Sequence, residues 1–126
     1  MKVLTKEELF ESNRSTSFQG YLNATFSELT TILGAPTFDP GDELDATNFE
    51  WCIMFCGNLF TVYDWKSTEE YSITERQLWH VGAEWRGNDL TPVGWFQSEI
   101  NRHLAKLNNK NEYLASGLSK VKKIEL

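Results

Sequence analysis

The sequence is poor in the residues used for catalysis or covalent cross-linking, with two cysteines, two histidines and three prolines in 126 residues. It has no glycine-rich phosphate loop, nucleophile elbow or Cys-x-x-Cys pair, which excludes the motifs of common nucleotide-binding proteins, hydrolases and dithiol enzymes. No run of about 18 apolar residues occurs, so we expect no membrane-spanning helix. The start "MKVLTKEELFESN" turns acidic too soon for a secretory signal, so we expect a cytoplasmic protein with reduced thiols.

The two cysteines, Cys52 and Cys56, are too far apart for a shared bond. On a strand, a separation of four residues places the Cα atoms about 13 Å apart. That distance exceeds the span of a disulfide and of a single zinc ion with bonds of about 2.3 Å. The acidic run "DPGDELD" lacks the alternating ligands and closing glutamate of a calcium loop. We therefore predict no metal site and no cofactor.

Charge is divided unevenly along the chain, whose net value is -6. Residues 1–100 contain 16 acidic and 6 basic side chains, a net charge of -10, whereas residues 101–126 contain 2 and 6, a net charge of +4. An acidic body is repelled by phosphate backbones, so we expect no direct nucleic-acid binding. Basic surfaces of other proteins, including nucleic-acid-binding sites, are the partners that such a body favours. The alternative is that the charge serves solubility alone.

Local patterns predict the helices. Capping boxes that begin at Thr5 and Thr25 predict helices over residues 5–12 and 25–33. Thr91 with Pro92 predicts the start of the longest helix, residues 91–108. The basic tail, 109–126, is left open between a flexible segment and a short helix.

A hairpin is predicted in "FEWCIMFCGNLFTVYDWK", with Gly57-Asn58 as its two-residue loop. This loop predicts cross-strand pairs, among them Cys56 with Leu59 next to the turn and Phe55 with Phe60 after it. One face is strongly apolar and is expected to meet the helices. The other face is also apolar, and something is expected to cover it. Its side chains include Cys52, Met54, Leu59 and Tyr63.

Two further strands are predicted in "SFQGYLN" and "RQLWHVGAEW". In the first, Phe18, Gly20 and Leu22 are expected on one face. The order α-β-α-β-β-β-α predicts an α+β fold, a single domain over residues 1–126 with a sheet core at 17–86. We expect an antiparallel sheet of about four strands with helices mainly on one face.

His80 is the one candidate for acid–base chemistry on the sheet. Alternation places it on the outer face with Leu78, while Trp79 and Val81 join the core. A general base or proton switch is one interpretation. A structural histidine is the other, because no serine or cysteine can be placed beside it from the sequence.

Three segments carry a resemblance, namely "FQGYLNATFSELTTILGAPTF", "FEWCIMFCGNLFTVYDWK" and "LWHVGA". Together they resemble a group of small uncharacterised proteins encoded by bacteriophages and prophages, over roughly residues 17–83. The resemblance implies origin in a phage and carries over no catalytic residues. Cys56 stands where a polar residue is expected in that group, and residues 90–126 look like additions.

These observations lead to three hypotheses. The first is a non-enzymatic acidic binding protein that inhibits a host protein in the host cytoplasm, such as a defence nuclease or CRISPR component. The second is a homo-oligomeric phage module, for example a homodimer. The third is a small ligand binder or enzyme that uses His80. Candidate binding residues are acids for steering and aromatics for anchoring: Asp39, Asp42, Glu43, Asp45, Glu69, Glu70, Tyr63, Trp65 and Trp85.

Overall fold

The computed structural model describes residues 1–42, 47–65 and 71–125, with side chains described as far as Asn109. The chain folds as a five-stranded antiparallel sheet with helices, which confirms the predicted α+β class. The elements are β1 Lys2–Val3, α1 Lys6–Ser12, β2 Ser17–Thr25, α2 Phe26–Leu33, a 3-10 turn Pro40–Asp42, β3 Glu50–Phe55, β4 Asn58–Tyr63, β5 Arg76–Ala83 and α3 Thr91–Glu125.

Both predicted capping boxes form. At α1 the Thr5 hydroxyl accepts from the Glu8 N–H at 3.1 Å, and the Glu8 carboxylate accepts from the Thr5 N–H at 3.1 Å. Thr25 and Glu28 repeat this exchange at α2. Each box satisfies two backbone donors that a helix start leaves unpaired, which is why both helices begin where the sequence indicates.

The strand order is β1-β3-β4-β5-β2, so the two edges of the sheet are β1 and β2. We call the face that packs against α2 and α3 the inner face. Its core centres on Trp51 and Trp79, and on Phe60 stacked against Phe96 with ring centroids 4.5 Å apart. The indole N–H groups of both tryptophans donate to backbone carbonyls at 3.0 Å, so these large side chains are buried with their polar atoms satisfied.

The predicted hairpin register is wrong by two residues. The turn is Cys56-Gly57, with φ of 50° and 76°, and Phe55 pairs with Asn58. Positive φ at both loop positions suits the twist of a hairpin, although a cysteine rarely adopts it. Asn58 favours this turn because its side-chain amide donates to the Cys56 carbonyl at 3.2 Å. A shift of two residues leaves every side chain on its predicted face.

The prediction that Phe18, Gly20 and Leu22 share one face of β2 is wrong, because the strand contains a bulge. The pairing with β5 shifts register between Phe18 and Gly20. The extra residue reverses the alternation, so Phe18 points to the outer face while Leu22 is buried in the core. A Cβ on Gly20 would lie 2.4 Å from the Gln97 amide of α3, which shows how closely the strand and helix approach.

Helix α3 does not end at residue 108 but continues to Glu125. A helix of 35 residues is about 52 Å long at the standard rise. Val93, Phe96, Ile100 and Leu104 form its buried stripe, and Leu104 is the last buried side chain described. Asparagines at positions 108, 109 and 111 favour helix weakly but do not stop it, because neither proline nor a glycine cap follows them.

Candidate functional site on the outer face of the sheet

The outer face of the sheet has a covered half. Helix α1 packs here, and Leu4 and Phe38 lie with Cys52 and Leu59 in a second apolar cluster that is almost fully buried. Thr37 links the N-terminal segment to β3, because its hydroxyl donates to the Leu4 carbonyl at 2.8 Å and accepts from the Cys52 N–H. The cover that the apolar hairpin face requires is therefore supplied, for this half, by the N-terminal segment of the same chain.

The segment that joins α1 to β2 crosses the outer face and bounds the covered half. Arg14 donates to the Gly57 carbonyl at 2.9 Å and to the Glu84 carboxylate at 3.2 Å. Thr16 contacts the Thr61 hydroxyl at 2.8 Å. Gly82 lies beneath this crossing, where a Cβ would meet both threonine hydroxyls. Beyond the crossing, no helix or segment among the described residues covers the face, and we call this part the open half.

A single row of side chains runs across the open half. The register pairs Glu50 with Tyr63, Tyr63 with His80, and His80 with Tyr21, on strands β3, β4, β5 and β2. Residues paired directly across an antiparallel sheet point to the same face. Four adjacent strands at about 4.8 Å spacing make a row about 14 Å long. It begins at a carboxylate and continues through three rings.

Rings from neighbouring positions widen this row into an aromatic patch, which consists of Phe18, Tyr21, Tyr63, Trp65 and His80. The imidazole of His80 lies at its centre, with ring centroids 4.8 Å from Phe18 and 5.1 Å from Tyr21. The rings of Tyr63 and Trp65 lie at 5.5 and 6.2 Å. Phe18, Tyr21 and Trp65 are each about half exposed, at 48%, 50% and 48%. The patch is therefore an ordered aromatic surface in contact with solvent.

Glu50 ends the row at the mouth of a cavity of about 430 Å³. The cavity lies between α1, the crossing segment and the sheet, and Arg14, Cys52 and Thr61 are among its lining residues. Burial raises the pKa of the Glu50 carboxyl above its usual value, and the nearby Asp64 charge raises it further. Its side chain has one described polar contact, the Cys52 thiol at 4.0 Å.

The ionisable groups of this region are not arranged for nucleophilic chemistry. Burial raises the pKa of the Cys52 thiol to about 12, so the thiolate is not available near neutrality. Burial lowers the pKa of His80, which disfavours the charged imidazolium. The described partners of His80 are aromatic rings, and no hydrogen bond to it is found in the described ranges. The burial of Tyr63, reinforced by Glu50, raises its phenol pKa.

Asp64 is a buried carboxylate whose role the sequence did not indicate. It accepts from the N–H groups of Asn48 and Phe49 at 2.8 and 2.9 Å and from the Tyr71 hydroxyl at 2.6 Å. These donors tie together the two chain segments that flank β4. An acid directly after an alternating strand, at an inward-facing position, is the signal that could have revealed it.

The predicted site residues fall into separate groups. Tyr63 and Trp65 belong to the aromatic patch, whereas Trp85 is exposed beyond the end of β5 and has no ring contact with it. Asp39 and Asp42 form a turn beside β3 in which Asp42 pairs with Lys6. The remaining four predicted residues, Glu43, Asp45, Glu69 and Glu70, lie outside the described residues. Phe18, Tyr21 and Glu50 were missed by sequence reasoning.

Within residues 1–42, 47–65 and 71–125, no group of three potential ligands is placed to hold a metal ion. No helix in these ranges is both long and apolar enough to cross a membrane. Comparisons of the chain with protein-family models, curated proteins and solved structures found no match.

Proposed function

We propose that this chain is a non-enzymatic binding protein that contacts a partner protein through the aromatic patch on the open half of the sheet. The observation that carries the proposal is the ordered packing of four rings around His80 on a face that remains in contact with solvent. Monomeric proteins seldom expose a contiguous apolar surface of this kind without a use for it. Tyrosine and tryptophan are also the side chains that dominate binding energy at protein interfaces.

Charge favours a basic partner. The net charge of -6 weakens any approach to a phosphate backbone and steers the chain toward positive surfaces. The aromatic rings would then anchor a complex whose encounter is driven by the surrounding acids. The resemblance to phage-encoded proteins leads us to a host protein as the partner, with a nucleic-acid-binding protein of a defence system as the specific hypothesis.

The test compares two exposed tryptophans on the same chain. A protein that the tagged chain captures from a host lysate is purified, and its Kd for each variant is measured by calorimetry. Trp65→Ala is expected to weaken binding about tenfold or more, as for an interface anchor. Trp95→Ala, on α3 and 60% exposed, serves as the control and should leave Kd unchanged. Equal effects of the two variants would contradict the proposal.

The length of α3 favours a second candidate function, a homo-oligomeric module. From Leu104, the last described side chain of α3 that is buried, apolar residues continue along the helix at alternating spacings of three and four, interrupted by one asparagine. The positions are Leu104, Leu107, Asn111, Leu114, Leu118 and Val121. This heptad pattern, with a polar residue at one core position, is typical of a coiled coil formed by a small number of helices.

Light scattering tests this second candidate function, because it distinguishes a dimer from a monomer by mass. A dimer would have twice the 14.6 kDa mass of the chain, and Leu118→Lys should return it to the monomer mass. Ser116→Lys adds the same charge to the same helix at a position outside the heptad core, and it should leave the dimer intact. A monomer at every concentration of the unaltered protein would exclude this function.

A further inference from the structure

We infer that the cavity at Glu50 receives an arginine side chain of the partner, which pairs with the Glu50 carboxylate and stacks on the neighbouring aromatic row. This inference deepens the proposed function and rests on it, because the partner that covers the patch delivers the arginine. It assigns a chemical class to the ligand of a cavity that the side chains of the described residues leave unfilled.

Among the described acids that are buried or half-buried, Glu50 stands apart because no cation and no backbone donor among the described residues contacts its carboxylate. The other described carboxylates that are buried or half-buried all have strong partners. Glu28 pairs with Arg76 at 2.8 Å, and Glu84 accepts from Arg14 and from the Leu59 N–H. Asp64 accepts three hydrogen bonds, and Glu8, Asp42 and Glu99 each pair with a cation. Only a thiol at 4.0 Å approaches Glu50.

A carboxylate removed from water without a cation is unfavourable, and this one lies near a second negative charge, Asp64. A cation that enters the cavity would offset both effects. The cavity contains a cation of its own chain, Arg14, but its guanidinium is held by Gly57 and Glu84 on the far side of the crossing segment. No described residue therefore supplies Glu50 with a positive charge, and in this inference the charge comes from the partner.

The surroundings favour arginine over a metal ion or a lysine. A metal needs further oxygen or nitrogen ligands, and no suitable group of three is found among the described residues. A guanidinium can bind a carboxylate through two N–H groups and lie flat on a ring. Tyr63, paired directly with Glu50, carries such a ring on the same face of the sheet. Cation–π contact with it would add to the ion pair.

The direct test uses blocked amino acids as probes on the full chain, followed by NMR of the Glu50 and Tyr63 signals. N-acetyl-arginine amide should shift both signals in a saturable manner. The citrulline analogue has the same shape without the charge and should not shift them. Glu50→Gln should abolish the arginine response, whereas Glu75→Gln, which changes the net charge equally at an exposed site, should keep it. A response to citrulline equal to that of arginine, or one that survives Glu50→Gln, would overturn the inference.

Binding to the purified partner separates this inference from the proposed function. Glu50→Gln is expected to raise Kd about tenfold, because the arginine loses its counter-ion. If Trp65→Ala weakens the complex and Glu50→Gln does not, the patch binds the partner but the arginine assignment is wrong. If Trp65→Ala has no effect, the proposed function itself fails.

Discussion

The two halves of the outer face belong to one sheet and are both apolar, yet the described residues cover only one of them. In the covered half, α1 and the segment 37–38 bury Cys52 and Leu59 almost completely. In the open half, the rings around His80 pack on one another, and Phe18, Tyr21 and Trp65 stay about half exposed. Among the described residues, the N-terminal segment thus covers one part of this face and leaves the other open. Apolar surface left open beside such a cover supports the proposed role in binding.

The largest expected effect compares one leucine from each half. Leu59→Ala removes a side chain that is 1% exposed and should lower the free energy of unfolding by about 2–5 kcal/mol. Leu78→Ala removes one that is 60% exposed and should change it by less than about 0.5 kcal/mol. Urea denaturation measures both. Similar losses for the two variants would show that the open half is also buried in solution.

The second prediction concerns the crossing that separates the halves. In Gly82→Ala the new Cβ would lie 2.3 Å from the Thr61 hydroxyl and 2.7 Å from that of Thr16. The crossing segment must move, and we expect a loss of about 1–3 kcal/mol by thermal denaturation. Gly94→Ala is the control, since its Cβ meets nothing within 4 Å and alanine favours a helix. Unchanged stability of Gly82→Ala would mean that the segment does not lie on the sheet as described.

The third prediction concerns Glu50 and has the smallest effect. Because its folded pKa is raised above the usual 4.5, the protonated carboxyl favours the folded state at low pH. This advantage is lost as the pH rises through the folded pKa. Glu50→Gln should therefore be more stable than the natural chain at pH 8, by less than about 1 kcal/mol, and the gain should vanish near pH 4. Calorimetric melting at both pH values checks the sign, and a loss of stability at pH 8 would contradict it.

Local signals in the sequence were enough to predict much of the fold. Capping boxes at Thr5 and Thr25 fix two helix starts. Each box is formed by side-chain and backbone groups within four consecutive residues, so it can be recognised from the local sequence alone. Alternation placed Trp79 and His80 on opposite faces correctly, since strand periodicity is independent of the partner strand.

Features that depend on contacts distant in sequence were not predicted. The Asn58 side chain donates to the Cys56 carbonyl within the turn at Cys56-Gly57. The same side chain accepts from Arg86, so its position also depends on a residue far along the chain. The bulge in β2 is visible only once β5 is its neighbour. Glu50 becomes a candidate only when the register places it beside Tyr63 and under α1. The partner, its class and the phage origin stay predictions.

The bulge between Phe18 and Gly20 also has a consequence for solubility. β2 is a nine-residue edge strand, and a long regular edge exposes unpaired backbone groups that invite strand addition from other copies. The bulge interrupts that edge, and the Gln19 side chain turns back to donate to the Ala83 and Glu84 carbonyls. A molecule that displays aromatic rings to solvent is thereby protected against self-assembly into extended sheets.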